Sequence, residues 1–146
     1  MMKIIKALLI ALSLPVLAHA ADSGGPAAKP AATPAEEAYR IVKTAALFSI
    51  GPVGEEGRPS KREAAFRQLL KQPEPLARCQ KLLTEATPAG QLYGLLGLRL
   101  LDEKAFQAAL PAYKNLETEI PTMTGCILTR VKAADIAARI ENGKLK

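Results

Sequence analysis

The chain has 146 residues, 49% of them hydrophobic, with a formal net charge of +6, two cysteines, one histidine and no tryptophan. This length suffices for one domain with a core of its own. Its Lys and Arg residues are spread along the chain without interleaved aromatic residues, which argues against a nucleic-acid-binding protein.

The first 20 residues have the three-part pattern of a secretory signal peptide. Lys3 and Lys6 supply the positive charge, residues 7–17 are uncharged and mostly apolar, and Ala18-His19-Ala20 places small residues where signal peptidase cleaves. We therefore predict cleavage after Ala20 and a periplasmic or secreted mature chain. The apolar run is too short for a membrane-spanning helix, which needs about 20 residues, and we expect no membrane span in the mature chain.

Cleavage would also remove the only histidine. Without residues 1–20, which include His19, Lys3 and Lys6, the chain has 126 residues and a net charge of +4. A Ser-His-Asp triad, a Cys-His pair and a zinc site built on histidine are then impossible, and two cysteines cannot supply a Cys₄ zinc site. We expect no metal and no cofactor.

The mature chain begins with a predicted linker over residues 21–33. This segment is rich in Ala, Pro and Gly and lacks large apolar side chains, which is typical of a flexible segment. Thr33, Pro34 and Glu36 then mark a helix start, because Thr and Glu can form a capping box and Pro favours the first helical position. We predict that this helix extends to residue 48 and opens a single helical domain over residues 34–146.

Four further helices are predicted after breaks, and they begin near Ser60, Pro75, Thr87 and Asp102. Ser60 with Glu63 predicts a second capping box at the first of these starts. The fourth helix, which ends near residue 101, is apolar nearly all round, so we place it at the centre of the fold. Residues 115–129 mix turn formers with β-branched residues, which predicts a loop with a short extended segment. A sixth helix is predicted over residues 129–142, where Gly143 ends it.

Six helices joined by short turns predict an all-α fold, either an irregular bundle or a short HEAT-like α-solenoid. Thr87-Pro88 opens one helix of the segment 87–114, and the helix that contains Phe106 and Leu110 follows it. This segment resembles one helix pair of a HEAT-type repeat, and the resemblance implies protein binding on a concave face without indicating individual site residues. The chain also resembles small exported bacterial helical proteins of unassigned function.

The two cysteines are Cys79 and Cys126. In an oxidising compartment an even number of cysteines favours a disulfide, and we predict that this one ties the third helix to the loop before the sixth. The loop-entropy treatment gives such a bridge about 4 kcal/mol. Two reduced core thiols and a redox-active pair are the alternatives, although the chain has no Cys-x-x-Cys motif.

The most unusual local sequence is the Gly- and Pro-rich segment 51–59, which contains the candidate binding residues Gly51, Gly54, Glu55, Glu56, Gly57 and Arg58. It leads into a helix N-terminus, where anions can bind. It lacks the Gly-Lys-Ser/Thr ending of a phosphate loop, and its two glutamates would repel phosphate. The segment is either a plain connector or a binding loop.

Carboxylate pairs are the remaining source of catalysis without histidine, since two acids can hydrolyse glycans. The pairs close in sequence are Glu36/Glu37, Glu55/Glu56, Asp102/Glu103 and Glu117/Glu119. Because no pair coincides with an apolar pocket in the sequence pattern, we predict no catalytic residue. The sequence favours a non-enzymatic binding protein of the bacterial envelope that binds another envelope protein. A carboxylate-based cell-wall hydrolase and an inhibitor or immunity-type protein are the alternatives.

Overall fold

The computed structural model describes residues 31–145. The elements in this part of the chain are α1 (Pro34–Lys43), β1 (Pro52–Val53), β2 (Arg58–Pro59), α2 (Lys61–Leu69), α3 (Pro75–Glu85), α4 (Pro88–Leu101), α5 (Glu103–Ala109), a 3₁₀ turn (Leu110–Ala112), β3 (Glu119–Thr124), β4 (Ile127–Lys132) and α6 (Ala133–Glu141). The predicted signal peptide, its cleavage after Ala20 and residues 21–30 of the predicted linker lie outside the described residues. Within residues 31–145, no helix is long and apolar enough to cross a membrane.

The helix starts follow the capping residues in the sequence. The Thr33 hydroxyl accepts a hydrogen bond from the Glu36 amide at 3.2 Å, and the Glu36 carboxylate accepts one from the Thr33 amide at 2.7 Å, which completes the capping box of α1. Ser60, Thr87 and Asp102 accept from first-turn amides of α2, α4 and α5 in the same way. The predicted starts of these four helices are confirmed.

Helix α4 lies at the centre of the fold, as its nearly all-round apolar sequence predicts. Its buried residues include Leu92, Tyr93, Leu95, Leu96 and Leu98. Helix α3 packs closely against it at Gly94, where an added Cβ would lie 2.9 Å from the Cys79 carbonyl oxygen and 2.9 Å from the Leu82 Cβ. Only glycine fits at this crossing, so the Gly residues of α4 set the distance between the two helices.

The prediction of an all-α fold is wrong, because the described residues contain two antiparallel two-stranded sheets beside six helices. The larger sheet is the hairpin β3–β4, which occupies most of the segment predicted as a loop. Ile120, Thr122 and Thr124 alternate along β3 and pair with Val131, Thr129 and Ile127 of β4. Alternating β-branched residues favour an extended strand, and they decide the structure of this segment. The fold is mixed α and β, with helices dominant.

The turn of the hairpin contains only Gly125 and Cys126. Gly125 has φ +57°, while Cys126 stays at negative φ. A two-residue turn with glycine at its first position has the backbone twist that antiparallel strands require. Because the strand β4 runs to Lys132, α6 begins at Ala133 instead of the predicted residue 129. It ends at Glu141, one residue before the predicted end, and the amide of Gly143, which was predicted to stop the helix, donates to the Ile140 carbonyl at 3.1 Å.

The hairpin is attached to the helices through the segment after α1. This helix ends at Lys43 and not at residue 48, although Ala45 and Phe48 are still buried. The Phe48 amide donates to the Pro121 carbonyl at 2.9 Å, and the Met123 amide donates to the Phe48 carbonyl at 3.3 Å. The segment that begins at Phe48 therefore covers one edge of β3, which leaves β4 as the outer strand.

Candidate functional site

The base of the predicted binding loop is held by a buried hydrogen-bond network. The Tyr93 hydroxyl accepts from the Ser49 amide at 3.0 Å and donates to the Ser49 carbonyl at 2.8 Å. The Ser49 hydroxyl donates to the Ser60 hydroxyl at 2.7 Å. Burial raises the pKa of the Tyr93 phenol, since a phenolate would lose its hydration there. These groups satisfy one another, and the network fixes residues on either side of the loop.

Glu63 is a second anchor of the loop, and its side chain is almost completely buried. Its carboxylate accepts from the Gly51 amide at 2.8 Å and from the Arg67 guanidinium at 2.9 and 3.0 Å. The predicted capping box at α2 is therefore only half formed. The Ser60 hydroxyl accepts from the Glu63 amide, but the Glu63 side chain turns to the loop instead of to the Ser60 amide. The pair Ser60 and Glu63 correctly predicts the start of α2, but it does not predict that the Glu63 carboxylate accepts from the Gly51 amide.

The tip of the loop contacts the turn of the β3–β4 hairpin. The Gly54 amide donates to the Gly125 carbonyl at 3.0 Å, and the Gly125 amide donates to the Pro52 carbonyl at 3.2 Å. Glu56 and Arg58 form a 3.1 Å ion pair in which both side chains are exposed, and such pairs add little stability. The candidate binding residues Gly51, Gly54, Glu55, Glu56, Gly57 and Arg58 thus share one short hairpin, β1–β2, that borders the turn 125–126.

The predicted disulfide between Cys79 and Cys126 is wrong, because both cysteines are free. Cys79 is buried between α3 and α4, where its sulfur lies against Gly97. Burial raises the pKa of the Cys79 thiol to about 12, which makes it an inert core side chain. Cys126 is exposed in the hairpin turn. The predicted loop over residues 115–129 does not indicate this exposed position.

Strand β4 carries the most exposed large apolar side chains of residues 31–145. Ile127 is 68% exposed and Leu128 is 61% exposed, while Leu100 and Leu101 at the end of α4 are 43% and 40% exposed. Adjacent residues of a strand point to opposite faces, so the hairpin is apolar on both faces at its tip. We call β4 together with the turn 125–126 the hairpin surface.

The main-chain groups of β4 alternate between its inner and outer sides. The main-chain groups of Pro121 and Met123 face the Phe48 segment. The amides and carbonyls of Ile120, Thr122 and Thr124, which alternate with them along β3, therefore face β4. The paired residues Ile127, Thr129 and Val131 therefore direct their amides and carbonyls to β3. The amides and carbonyls of Leu128 and Arg130 point to the open side of the strand.

A recess of about 110 Å³ lies beneath the hairpin, and its lining includes Ser49, Ile50, Thr129, Val131, Arg139 and Leu145. Sites for small-molecule ligands are typically about 300–1,000 Å³. The recess is smaller than such sites.

The acidic residues that are close in sequence are largely occupied by caps and ion pairs. Glu36 and Asp102 cap helices, Glu37 pairs with Arg40, Glu103 pairs with Arg99 and Glu117 pairs with Lys132 at 2.6 Å. Among residues 31–145, no group of three His, Cys, Asp or Glu side chains is placed to hold a metal ion.

In comparison with known proteins, no family model matches the chain, and no match is found among curated proteins or solved structures.

Proposed function

We propose that this protein is an exported, non-enzymatic binding protein of the bacterial envelope and that it binds another protein through the hairpin surface. The observation that carries the proposal is the exposure of Ile127 and Leu128 on a strand with an open edge. An open edge is a template for a further strand, which binds through main-chain hydrogen bonds and uses side-chain pockets for specificity. The recess lined by Thr129 and Val131 lies beneath this strand and supports the proposal, since it would serve as such a pocket.

Two further features support the proposal. The β1–β2 loop and the turn 125–126 are joined by hydrogen bonds, so the predicted binding loop borders the hairpin surface. The signal-peptide pattern of residues 1–20 favours an envelope address. The resemblance of residues 87–114 to a HEAT-type helix pair stays a prediction, and its implied role in protein binding is compatible with this proposal.

Capture from an envelope extract tests the role of the hairpin surface. The full chain, expressed with a C-terminal tag, is expected to retain one stoichiometric partner. Leu128→Lys should abolish this capture, because it places a charge at the centre of the exposed strand. The matched control Leu101→Lys puts the same charge on an exposed leucine of α4 and should leave capture intact. Equal capture by the two variants would refute the docking role of the hairpin surface.

Intact mass tests the export part of the proposal independently. The chain recovered from the envelope fraction should begin at Ala21. A recovered chain that retains residues 1–20, found in the cytoplasm, would contradict export while leaving the docking surface open to the capture experiment.

A further inference from the structure

The β3–β4 sheet has one open edge. The Phe48 segment covers the β3 side through its bonds to Pro121 and Met123, and within residues 31–145 the strand β4 pairs with β3 alone. The open side of β4 presents the main-chain groups of Leu128 and Arg130 and, at the end of the strand, the amide of Lys132. Any strand that extends this sheet must therefore pair with these residues.

We propose that the strand that pairs with β4 is the β4 of a second copy of this chain, arranged antiparallel around a two-fold axis at Thr129. The two hairpins would then form one four-stranded sheet. This inference rests on the proposed docking role of the hairpin surface and names its first occupant.

Hydrogen bonding limits the registers that such a pair can adopt. Antiparallel strands exchange hydrogen bonds between residues whose main-chain groups both face the partner. Leu128, Arg130 and Lys132, the last residue of β4, must therefore pair with one another across the two copies. The two-fold axis can then lie only at a residue from 128 to 132.

The charges that would face each other and the number of β4 residues that would pair favour the axis at Thr129. An axis at Arg130 would place two arginines directly opposite each other, and like charges in that position destabilise a strand pair. Axes at residues 131 and 132 are unfavourable for the same reason, because they set Arg130 opposite Lys132 or two copies of Lys132 opposite each other. An axis at Leu128 would pair only residues 127–129 of β4. The axis at Thr129 pairs residues 127–131 of each copy and sets no like charges directly opposite.

The selected register also matches apolar groups with one another. Leu128 lies opposite Arg130 of the second copy, whose aliphatic stem can cover it. On the other face, the exposed Ile127 lies opposite the half-buried Val131 of the second copy. The two most exposed apolar side chains of the described residues thus acquire neighbours from the second copy.

The same register keeps the exposed thiol out of the contact between copies. Cys126 is three residues from the axis, so the two Cys126 residues would lie about 20 Å apart along the strands at about 3.4 Å per residue. The dimer is therefore held by strand pairing and not by a disulfide.

Cysteine cross-linking in the full chain tests the register. In a Cys126→Ser background, Thr129→Cys places two thiols directly opposite at the axis, where a non-hydrogen-bonded pair has Cα atoms about 4.5 Å apart, within the range for a disulfide. With a mild chemical oxidant we expect this variant to form a covalent dimer at least tenfold faster than Glu119→Cys, an exposed position on β3. Arg130→Cys should be slower than Thr129→Cys, because its two copies are diagonal neighbours about 7–8 Å apart. Equal rates for Thr129→Cys and Glu119→Cys would overturn the proposal.

Light scattering over a concentration series supplies a second measurement. The chain should approach twice its monomer mass as the concentration rises. Leu128→Lys puts a lysine opposite Arg130 of the second copy and should weaken the dimer about tenfold, while Leu128→Asp puts an opposite charge there and should retain it. Loss of the dimer in both variants, or in the control Leu101→Lys, would contradict the proposed register.

The two proposals fail in different ways. A chain that is monomeric at every concentration and shows no selective Thr129→Cys cross-link, but captures a partner in a Leu128-dependent manner, overturns the second copy and retains the docking role. A chain that forms the dimer in the predicted register but captures nothing supports the inference and refutes binding of another envelope protein.

Discussion

Helix α4 and strand β4 both carry large apolar side chains, and the environments of these side chains are opposite. Leu92, Leu95 and Leu96 of α4 are buried, whereas Ile127 and Leu128 of β4 are more than half exposed. Main-chain hydrogen bonding explains the difference. A helix satisfies its main chain internally and can be enclosed by other helices, but the outer strand of a sheet still carries unpaired amides and carbonyls. Burying β4 therefore requires another strand.

Truncation of one leucine in each segment is the strongest test of this contrast. Leu96→Ala should lower the free energy of unfolding by about 2–5 kcal/mol, because it leaves a cavity in the core. Leu128→Ala removes the same atoms from an exposed side chain and should change the free energy of unfolding by less than about 0.5 kcal/mol. Urea unfolding of both variants at low protein concentration measures the difference. Similar losses would mean that β4 is buried in the monomer.

The close crossing of α3 and α4 is tested by overpacking. Gly94→Leu adds atoms where a Cβ alone would lie 2.9 Å from the Cys79 carbonyl oxygen. Overpacking typically costs about 1–3 kcal/mol, and the backbone contact places this variant near 3 kcal/mol. Gly94→Ala should produce a smaller loss of the same sign in the same urea titration. Unchanged stability in both variants would refute the packing role of Gly94.

The β1–β2 loop contains hydrogen bonds to the buried carboxylate of Glu63 and an ion pair of the exposed carboxylate of Glu56, and substitution of each compares their contributions to stability. Glu63→Gln weakens the bonds to the Gly51 amide and to Arg67, and a disturbed buried group of this kind costs about 2 kcal/mol. Hydrogen exchange at the Gly51 amide should also become faster. The control Glu56→Gln disrupts only an exposed ion pair and should change neither quantity measurably. A null result for Glu63→Gln would show that the loop does not depend on this carboxylate.

The buried thiol of Cys79 predicts a loss of stability in alkali. Its pKa is about 12 in the fold and about 9.0 when exposed, so above pH 9 the unfolded chain releases a proton that the folded chain keeps. Stability that is present below pH 9 is therefore lost as the pH rises toward 12, by about 1.4 kcal/mol at pH 10 from this one group.

Two thiol variants isolate this contribution. Between pH 7 and pH 10, Cys79→Ala should lose about 1.4 kcal/mol less than the unmodified chain. Cys126→Ala removes the thiol on the surface and serves as the matched control for the loss of a thiol. If Cys79→Ala kept the original slope, the thiol would not be the source of the alkaline sensitivity.

The helices could be predicted from the sequence because their determinants are local. Thr33, Ser60, Thr87 and Asp102 each cap a helix through an amide two or three residues away. The predicted loop over residues 115–129 does not include the hairpin, although alternating residues on both sides of a two-residue turn with Gly125 are the pattern of a hairpin. The outer position of β4 depends on the distant Phe48 segment, which bonds to β3.

Other features depend on contacts between distant segments. The separation of Cys79 from Cys126 follows from the hairpin turn, which places one cysteine on the surface while the other lies under α4. The turn of the Glu63 side chain toward Gly51 depends on where the β1–β2 loop lies against α2. Spacing in the sequence contains neither fact. The predicted disulfide is therefore not formed, and the predicted capping box at α2 is only half formed.

The hydrogen bonds between Phe48 and β3 also set the size of any assembly built by this sheet. A sheet with two open edges can add copies at both ends and grow into a filament. Because the Phe48 segment occupies one edge, each molecule offers a single edge, and a symmetric contact through it uses that edge in both copies. Such an assembly closes at two members, which would keep a chain with exposed apolar strand residues from polymerising.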